Sequence, residues 1–144
     1  MTADQKLSPD KTGTRLQRRR LRIAFALPGL HRVSRGAEMA LESVARELGR
    51  LGHEVVVFGS GVQRVGEPYR FVHVPCVRRE RFEKFPSIPF LRTYYSWEEL
   101  TFAPGLWRKM LGKNFDVSVT CGYPYTNWTL RNATGASHFG YCIA

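Results

Sequence analysis

Three kinds of pattern are missing from the sequence, and each absence removes a class of protein. No Gly-x-Gly-x-x-Gly run occurs, because the first glycine-bearing loop holds only Gly29 and Gly36, seven positions apart. The fingerprint of dinucleotide-binding proteins is therefore absent. No Gly-x-x-x-x-Gly-Lys-Ser/Thr run occurs either, which removes the P-loop NTPases. No apolar run approaches the roughly 20 residues that a transmembrane helix requires.

Cysteine and acidic residues are also scarce. The wide spacing of Cys76, Cys121 and Cys142 matches no zinc site, and three cysteines cannot all pair. We therefore expect a protein of the reducing cytoplasm, with no metal and no other cofactor. Basic residues outnumber acidic ones by 22 to 12, a net charge of +10, which favours anionic partners such as a diphosphate or an anionic membrane, where the chain would lie peripherally at the inner face. No nucleic-acid motif accompanies this charge, so we expect no specific nucleic-acid partner.

The first part of the chain has the pattern of a strand, a glycine-bearing loop, an amphipathic helix and a second strand. Residues 22–27 are dominated by Ile23, Phe25 and Leu27 with alanines between them, which is typical of a strand covered on both faces. Apolar residues then recur at helical spacing, at Ala37, Ala40, Leu41, Val44, Ala45, Leu48 and Leu51. Ser34 is the expected N-cap of this helix and Gly52 its stop. With residues 55–58 as the next strand, the unit predicts a Rossmann-like α/β fold, a parallel sheet flanked by helices.

The remaining segments supply further strands to this sheet, but the signal for the last strand is weak. Residues 69–74 and 115–120 have the composition of strands three and four, and 121–126 is expected to be a loop. A fifth strand belongs in the final stretch, but only residues 141–143 have strand character, so we expect the domain to be incomplete at its C-terminal end. Residues 1–20 are polar, with six basic and two acidic side chains, and are expected to form a disordered basic tail.

Residues 82–107 are unusually rich in aromatic side chains, with basic residues just before them. Rings interleaved with cations can stack on sugars or bases, so this segment is a candidate for acceptor recognition. The alternative is that the rings complete the hydrophobic core or pack against another domain. Pro86, Pro89 and Pro104 argue against one continuous helix across the segment.

Two short motifs resemble those of glycosyltransferase family 4, a family of the GT-B fold. Arg35-Gly36-Ala37-Glu38 resembles its Gly-Gly-Ala/Val-Glu loop, with Arg35 replacing the first glycine, and Gly52-His53-Glu54-Val55 resembles its turn into the second strand. The resemblance covers about residues 21–134 and is to the N-terminal, acceptor-side domain. It implies a retaining, metal-independent transfer of a sugar from a nucleotide-sugar donor to a glycan, lipid-linked or small-molecule acceptor.

The resemblance also implies a set of site residues. Gly36, with Arg32, Ser34 and Arg35, would form the rim of the donor-diphosphate site, because glycine allows close approach and amides at a helix N-terminus attract phosphate. A loop glycine without a ligand is the alternative for Gly36. The acceptor side would be formed by Tyr123, Tyr94 and Trp97, and no catalytic residue is assigned.

The length of the chain sets a limit on this interpretation. A GT-B enzyme has two domains, whereas 144 residues are the size of one. The Glu-x7-Glu motif of the second domain is absent, since the last acidic residue is Asp116. Two hypotheses follow. Residues 21–144 are either an acceptor-side fragment, inactive without its donor-binding domain, or a stand-alone basic α/β binding module without catalysis.

Overall fold

The computed structural model describes residues 19–82 and 94–141. Along the chain the elements are β1 (Arg22–Ala26), α1 (Gly36–Arg50), β2 (Glu54–Gly59), β3 (Arg70–His73), a short 3-10 helix (Arg79–Phe82), α2 (Tyr94–Met110), β4 (Val117–Cys121), α3 (Pro124–Thr134) and β5 (Ser137–Tyr141). The strands are parallel and lie in the order β3-β2-β1-β4-β5. The predicted Rossmann-like α/β fold is confirmed. Residues 1–18 of the predicted basic tail lie outside the described residues.

β1 is the central strand, and its side chains alternate between the two faces of the sheet. Ile23 and Phe25 belong to the core cluster on one face, and Ala24 and Ala26 to the cluster on the other. Hydrogen-bonded neighbours flank β1 on both edges. A strand in this position is buried on both faces, which explains why its sequence is a continuous apolar run.

One helix covers the first face of the sheet, and two helices cover the second. α1 contributes Leu41 and Ala45 to the first cluster. α2 and α3 contribute to the second cluster with Phe102, Leu106, Met110 and Leu130. The three layers enclose two apolar cores, one on each side of the sheet.

The two ends of α1 differ in how well the sequence predicted them. Arg35, not Ser34, is the N-cap, and no side chain caps the helix. The C-terminal end is as expected: Leu51 is the C-cap, and Gly52 follows with a φ of 89°. This left-handed conformation is costly for residues with a Cβ, so glycine suits the position.

Pro104 lies inside α2, although we expected prolines to interrupt a helix in this segment. Proline cannot donate the hydrogen bond that the carbonyl of Leu100 would accept. Both residues are on the exposed side of the helix, where water can bond that carbonyl instead. Pro86 and Pro89 lie outside the described residues.

The C-terminal part contains a helix and a strand that the sequence did not predict correctly. The predicted loop 121–126 includes the start of α3, where Pro124 occupies the first turn and its missing N–H costs nothing. β5 is formed by Ser137–Tyr141 rather than by residues 141–143. It pairs with β4 from Ser137 to Tyr141, so ladder hydrogen bonds hold a strand of low intrinsic propensity.

We expect Leu106→Ala to lower the free energy of unfolding by about 2–5 kcal/mol, because the substitution opens a cavity around a fully buried side chain. Leu111→Ala is the matched control. That leucine directly follows α2 and is 55% exposed, so its truncation should change stability by less than about 0.5 kcal/mol. Urea unfolding followed by circular dichroism measures both. Equal losses in the two variants would contradict the assigned packing of α2.

Candidate functional site

The carboxyl ends of β1 and β4 lie side by side at one edge of the sheet. β1 and β4 are neighbours, yet the chain leaves β1 toward α1 on one face and leaves β4 toward α3 on the other. The loops after these strands therefore diverge, and such a topological switch point is where open parallel sheets bind ligands. We call the space between residues 27–35 and Gly122–Tyr123 the switch-point crevice.

The four predicted donor-rim residues lie together at this edge. Gly36 is the first residue of α1, Arg35 is its N-cap, and Arg32 and Ser34 belong to the preceding loop. Gly36 and Ser34 are exposed, whereas the two arginines are half-buried.

The predicted acceptor-side residues come from two other elements at the same edge. Tyr123 is the N-cap of α3 and packs against the core cluster on the α1 face. Tyr94 and Trp97 belong to the first turn of α2, which starts at the carboxyl edge because it follows β3. Trp97 is half-buried, and the side chain of Tyr94 lies outside the described part of the chain.

Arg32 and Arg35, the two arginines of the predicted donor rim, each form an ion pair with a buried glutamate. The guanidinium of Arg35 donates to Glu38 Oε1 over 2.6 Å and 3.1 Å, and Glu38 is only 1% exposed. Arg32 forms an ion pair with the fully buried Glu98 and also donates to Cys76 Sγ over 3.4 Å. These pairs offset part of the cost of burying two charged carboxylates. In the described part of the chain, Glu98 Oε2 is buried without a hydrogen-bond partner.

The pKa values of these groups follow from the same contacts. Burial by itself would lower the pKa of the Arg35 guanidinium, but Glu38, Tyr123 and Glu98 together raise it. For Arg32, burial again opposes the charge, and the neighbouring Cys76 and Glu98 raise the pKa. Burial raises the pKa of the Cys76 thiol, although Ser60 and Arg32 act against this shift.

Two glycines of the crevice differ in what the fold demands of them. A Cβ on Gly29 would overlap the carboxylate of Glu38 and the guanidinium of Arg35. A Cβ on Gly36 would meet no atom within 4 Å, and its φ lies outside the left-handed region. Neither packing nor backbone conformation therefore explains the glycine at position 36.

Glu98 and Glu99, which were not predicted as site residues, bring two buried carboxylates to the edge of the crevice. The available signal was their position: two consecutive acidic residues within an aromatic segment. Charged side chains in such surroundings are rarely buried without a partner.

Glu99 connects α2 to the first turn of α3. Its Oε1 accepts a hydrogen bond of 2.7 Å from the backbone N–H of Thr126. A carboxylate at this position satisfies an amide that has no partner within the helix. Burial nevertheless dominates and raises the pKa of Glu99 to about 7, against the lowering effect of the hydrogen bonds from Thr126 and Tyr125.

The side chains of the described residues do not form a metal centre. No group of three or more His, Cys, Asp or Glu within residues 19–82 and 94–141 is arranged to hold an ion. Cys76 and Cys121 are free thiols in this part of the chain.

Comparison with known proteins identifies no family. No protein-family model matches the chain, and no curated protein matches it. A solved structure that it resembles is the C-terminal domain of a hydrogenase from Pyrococcus furiosus, at 11% identity and a TM-score of 0.48, over 83% of this chain and 89% of that one.

The predicted membership of glycosyltransferase family 4 is therefore wrong, since no family model matches the chain. The structure gives both motifs a local explanation. Residues 35–38 start α1 and contain the ion pair between Arg35 and Glu38, and Gly52 ends the same helix. Helix starts and stops of this kind recur in many βαβ units.

We expect Gly29→Ala to destabilise the protein by about 1–3 kcal/mol, since the added methyl group overlaps the carboxylate of Glu38, whose side chain is only 2% exposed. Gly36→Ala is the matched control and should be neutral or slightly stabilising, because its Cβ meets open space and alanine favours the helix. Thermal unfolding of the two variants is the measurement. A destabilised Gly36→Ala would contradict the open surroundings of this glycine.

Glu99 should also make stability depend on pH. Between its ordinary pKa of 4.5 and about 7, the folded protein holds a proton that the unfolded chain has lost. The stabilisation from this group is therefore complete below pH 4.5 and is lost as the pH rises through 7, a change of about 3 kcal/mol.

Glu99→Gln provides the test, because glutamine keeps the shape of the protonated acid and does not titrate. We expect the wild type to lose stability relative to this variant between pH 5 and pH 8 in urea unfolding. A difference between the two proteins that stays constant over this range would refute the raised pKa.

Proposed function

We propose that the chain is a basic α/β binding module that holds a phosphate-bearing small molecule in the switch-point crevice. The observation that carries the proposal is Gly36, an exposed glycine at the first position of α1 that the fold itself does not require. Close approach of a ligand to the backbone is a physical reason for a residue without a side chain at this position.

The start of α1 supports an anionic group on the ligand. No side chain caps this helix, so amides of its first turn are available at the edge of the crevice. The positive end of the helix dipole points in the same direction. The exposed hydroxyl of Ser34 stands two residues before Gly36 and adds a donor or acceptor.

The charged side chains around the crevice are held in fixed positions by ion pairs, which favours the binding of an anion. Arg32 and Arg35 are already paired with Glu98 and Glu38, so the phosphate would meet backbone amides first and the arginine side chains second. Such a wall is preorganised, because its charged groups hold one another in place. A nucleotide sugar, which we expected as a partner from the sequence, belongs to this ligand class through its diphosphate.

We expect pyrophosphate and UDP to bind the wild-type chain, and Gly36→Ala to weaken that binding about tenfold by placing a methyl group where phosphate approaches. Ser34→Ala should weaken binding by a smaller factor. Isothermal titration calorimetry at low ionic strength measures these affinities.

Ser43→Ala is the control for Ser34→Ala, since Ser43 is also an exposed serine but bonds the carbonyl of Met39 on the outer side of α1. It should bind like the wild type. Absence of binding to either ligand, or equal binding by Gly36→Ala and the wild type, would overturn the proposal.

A peripheral association with anionic membranes is a second proposal. The net charge of +10 supports it, because basic proteins are attracted to anionic leaflets. Within the described residues, no helix has the length and apolar character needed to cross a bilayer. Such an association would therefore take place at the membrane surface.

A further inference from the structure

A second concave surface lies on the side of α2 and α3 that faces away from the sheet. It is a groove of about 390 Å³. It is lined mainly by Leu100, Pro104 and Trp107 of α2 and by Tyr125, Trp128 and Thr129 of α3. We call it the indole groove. None of its lining residues belongs to the segments that define the switch-point crevice.

Two tryptophans dominate the indole groove. The rings of Trp107 and Trp128 stack with their centroids 5.6 Å apart and their planes inclined by 20°. Trp128 is nevertheless 62% exposed, and Leu111, which directly follows α2, is 55% exposed. A large indole left in water on an apolar surface suggests that something else covers it.

The charges of the two helices identify what kind of partner fits. The carboxylates of α2 are Glu98 and Glu99, both buried, and α3 has no acidic residue. Arg108 and Arg131 are exposed and lie in the last turns of α2 and α3. Both helices connect parallel strands and so run in the same direction, which places the two arginines at the same end of this face. The partner must combine an apolar region with negative charge.

A second copy of the chain fits this description poorly. A symmetric dimer through the indole groove would bring Arg108 and Arg131 of one copy against the same residues of the other. Like charges repel, and a chain of net charge +10 adds to the repulsion. An anionic bilayer surface has both required properties, since indole rings favour the boundary between headgroups and acyl chains.

We propose that the α2–α3 face is the membrane-docking surface of this protein, with Trp128 inserted among the acyl chains of anionic lipids and Arg108 and Arg131 on their phosphates. This inference rests on the proposed association with anionic membranes. It specifies which face of the molecule contacts the membrane and which residues make that contact.

The test uses the full chain and vesicles of phosphatidylglycerol and phosphatidylcholine. We expect the wild type to bind the anionic vesicles and not pure phosphatidylcholine, with a blue shift of tryptophan emission and quenching by lipids brominated on their acyl chains. The double variant Arg108→Gln/Arg131→Gln should partition about thirtyfold more weakly. Trp128→Ala should also weaken binding. Trp107→Phe/Trp128→Phe should lose the quenching, since Trp97 alone remains.

Matched controls separate this face from general charge. Met39→Ala removes an apolar side chain that is 57% exposed on α1, on the opposite side of the sheet. Arg50→Gln/Arg70→Gln removes the same charge from other exposed positions. Both controls should bind nearly like the wild type. Circular dichroism of each variant confirms its fold.

The outcomes distinguish this inference from the association on which it rests. Failure of the wild type to bind anionic vesicles would overturn both. Binding without acyl-chain quenching, or with equal losses in the controls, would leave the association intact and overturn the assigned face. Dimerisation in light scattering that Trp128→Ala abolishes would assign the indole groove to a second copy, and preferential binding of single-stranded nucleic acid or an acidic peptide there would likewise refute a lipid partner.

Discussion

The need to cover both faces of a parallel sheet is the constraint on which the rest of this structure depends. β1 lies between β2 and β4, so the backbone of the central strand is out of reach of water and both of its faces require helices. α1 covers one face, and α2 and α3 cover the other. This division makes the chain leave β1 and β4 in opposite directions. The position of the switch-point crevice is therefore a consequence of how the sheet is covered.

Buried carboxylates organise the edge of the sheet where the crevice lies. Four glutamates there are almost inaccessible to solvent and find cationic or backbone N–H partners: Glu38 with Arg35, Glu42 with Arg64 and the N–H of His31, Glu98 with Arg32, and Glu99 with the N–H of Thr126. Burial of a charge is tolerated when such partners are present. In contrast, neither α2 nor α3 carries an exposed carboxylate that could pair with Arg108 and Arg131 on the α2–α3 face. The two proposed contacts, a phosphate in the crevice and an anionic membrane at the indole groove, thus use surfaces of different electrostatic character.

Local patterns predicted the elements whose signals lie within a few residues. The apolar run of β1, the stripe of α1 and the stop at Gly52 all appear in the structure, because strand burial, helical periodicity and a left-handed turn are properties of short segments. The prediction of Ser34 as the N-cap of α1 was wrong. Arg35 occupies that position, and its side chain donates to Glu38 rather than capping the helix. β5 was misplaced because its pairing with β4 stabilises it more than its own residues do. The family assigned from two motifs was wrong. Both motifs lie at the ends of α1, where short patterns of this kind start and stop a helix without specifying a catalytic function.

By itself, the sequence determined the fold class, the composition of the first βαβ unit, the excess of basic residues and the presence of a glycine at the start of α1. Only the tertiary structure decided that Gly36 faces open space while Gly29 is enclosed, that Arg32 and Arg35 are paired with glutamates, and that Trp107 stacks on Trp128. The physical reason is distance along the chain. Ion pairing joins residues that are far apart along the chain, such as Arg32 and Glu98, which are 66 positions apart. No local pattern specifies which of the many possible partners the packed layers bring together.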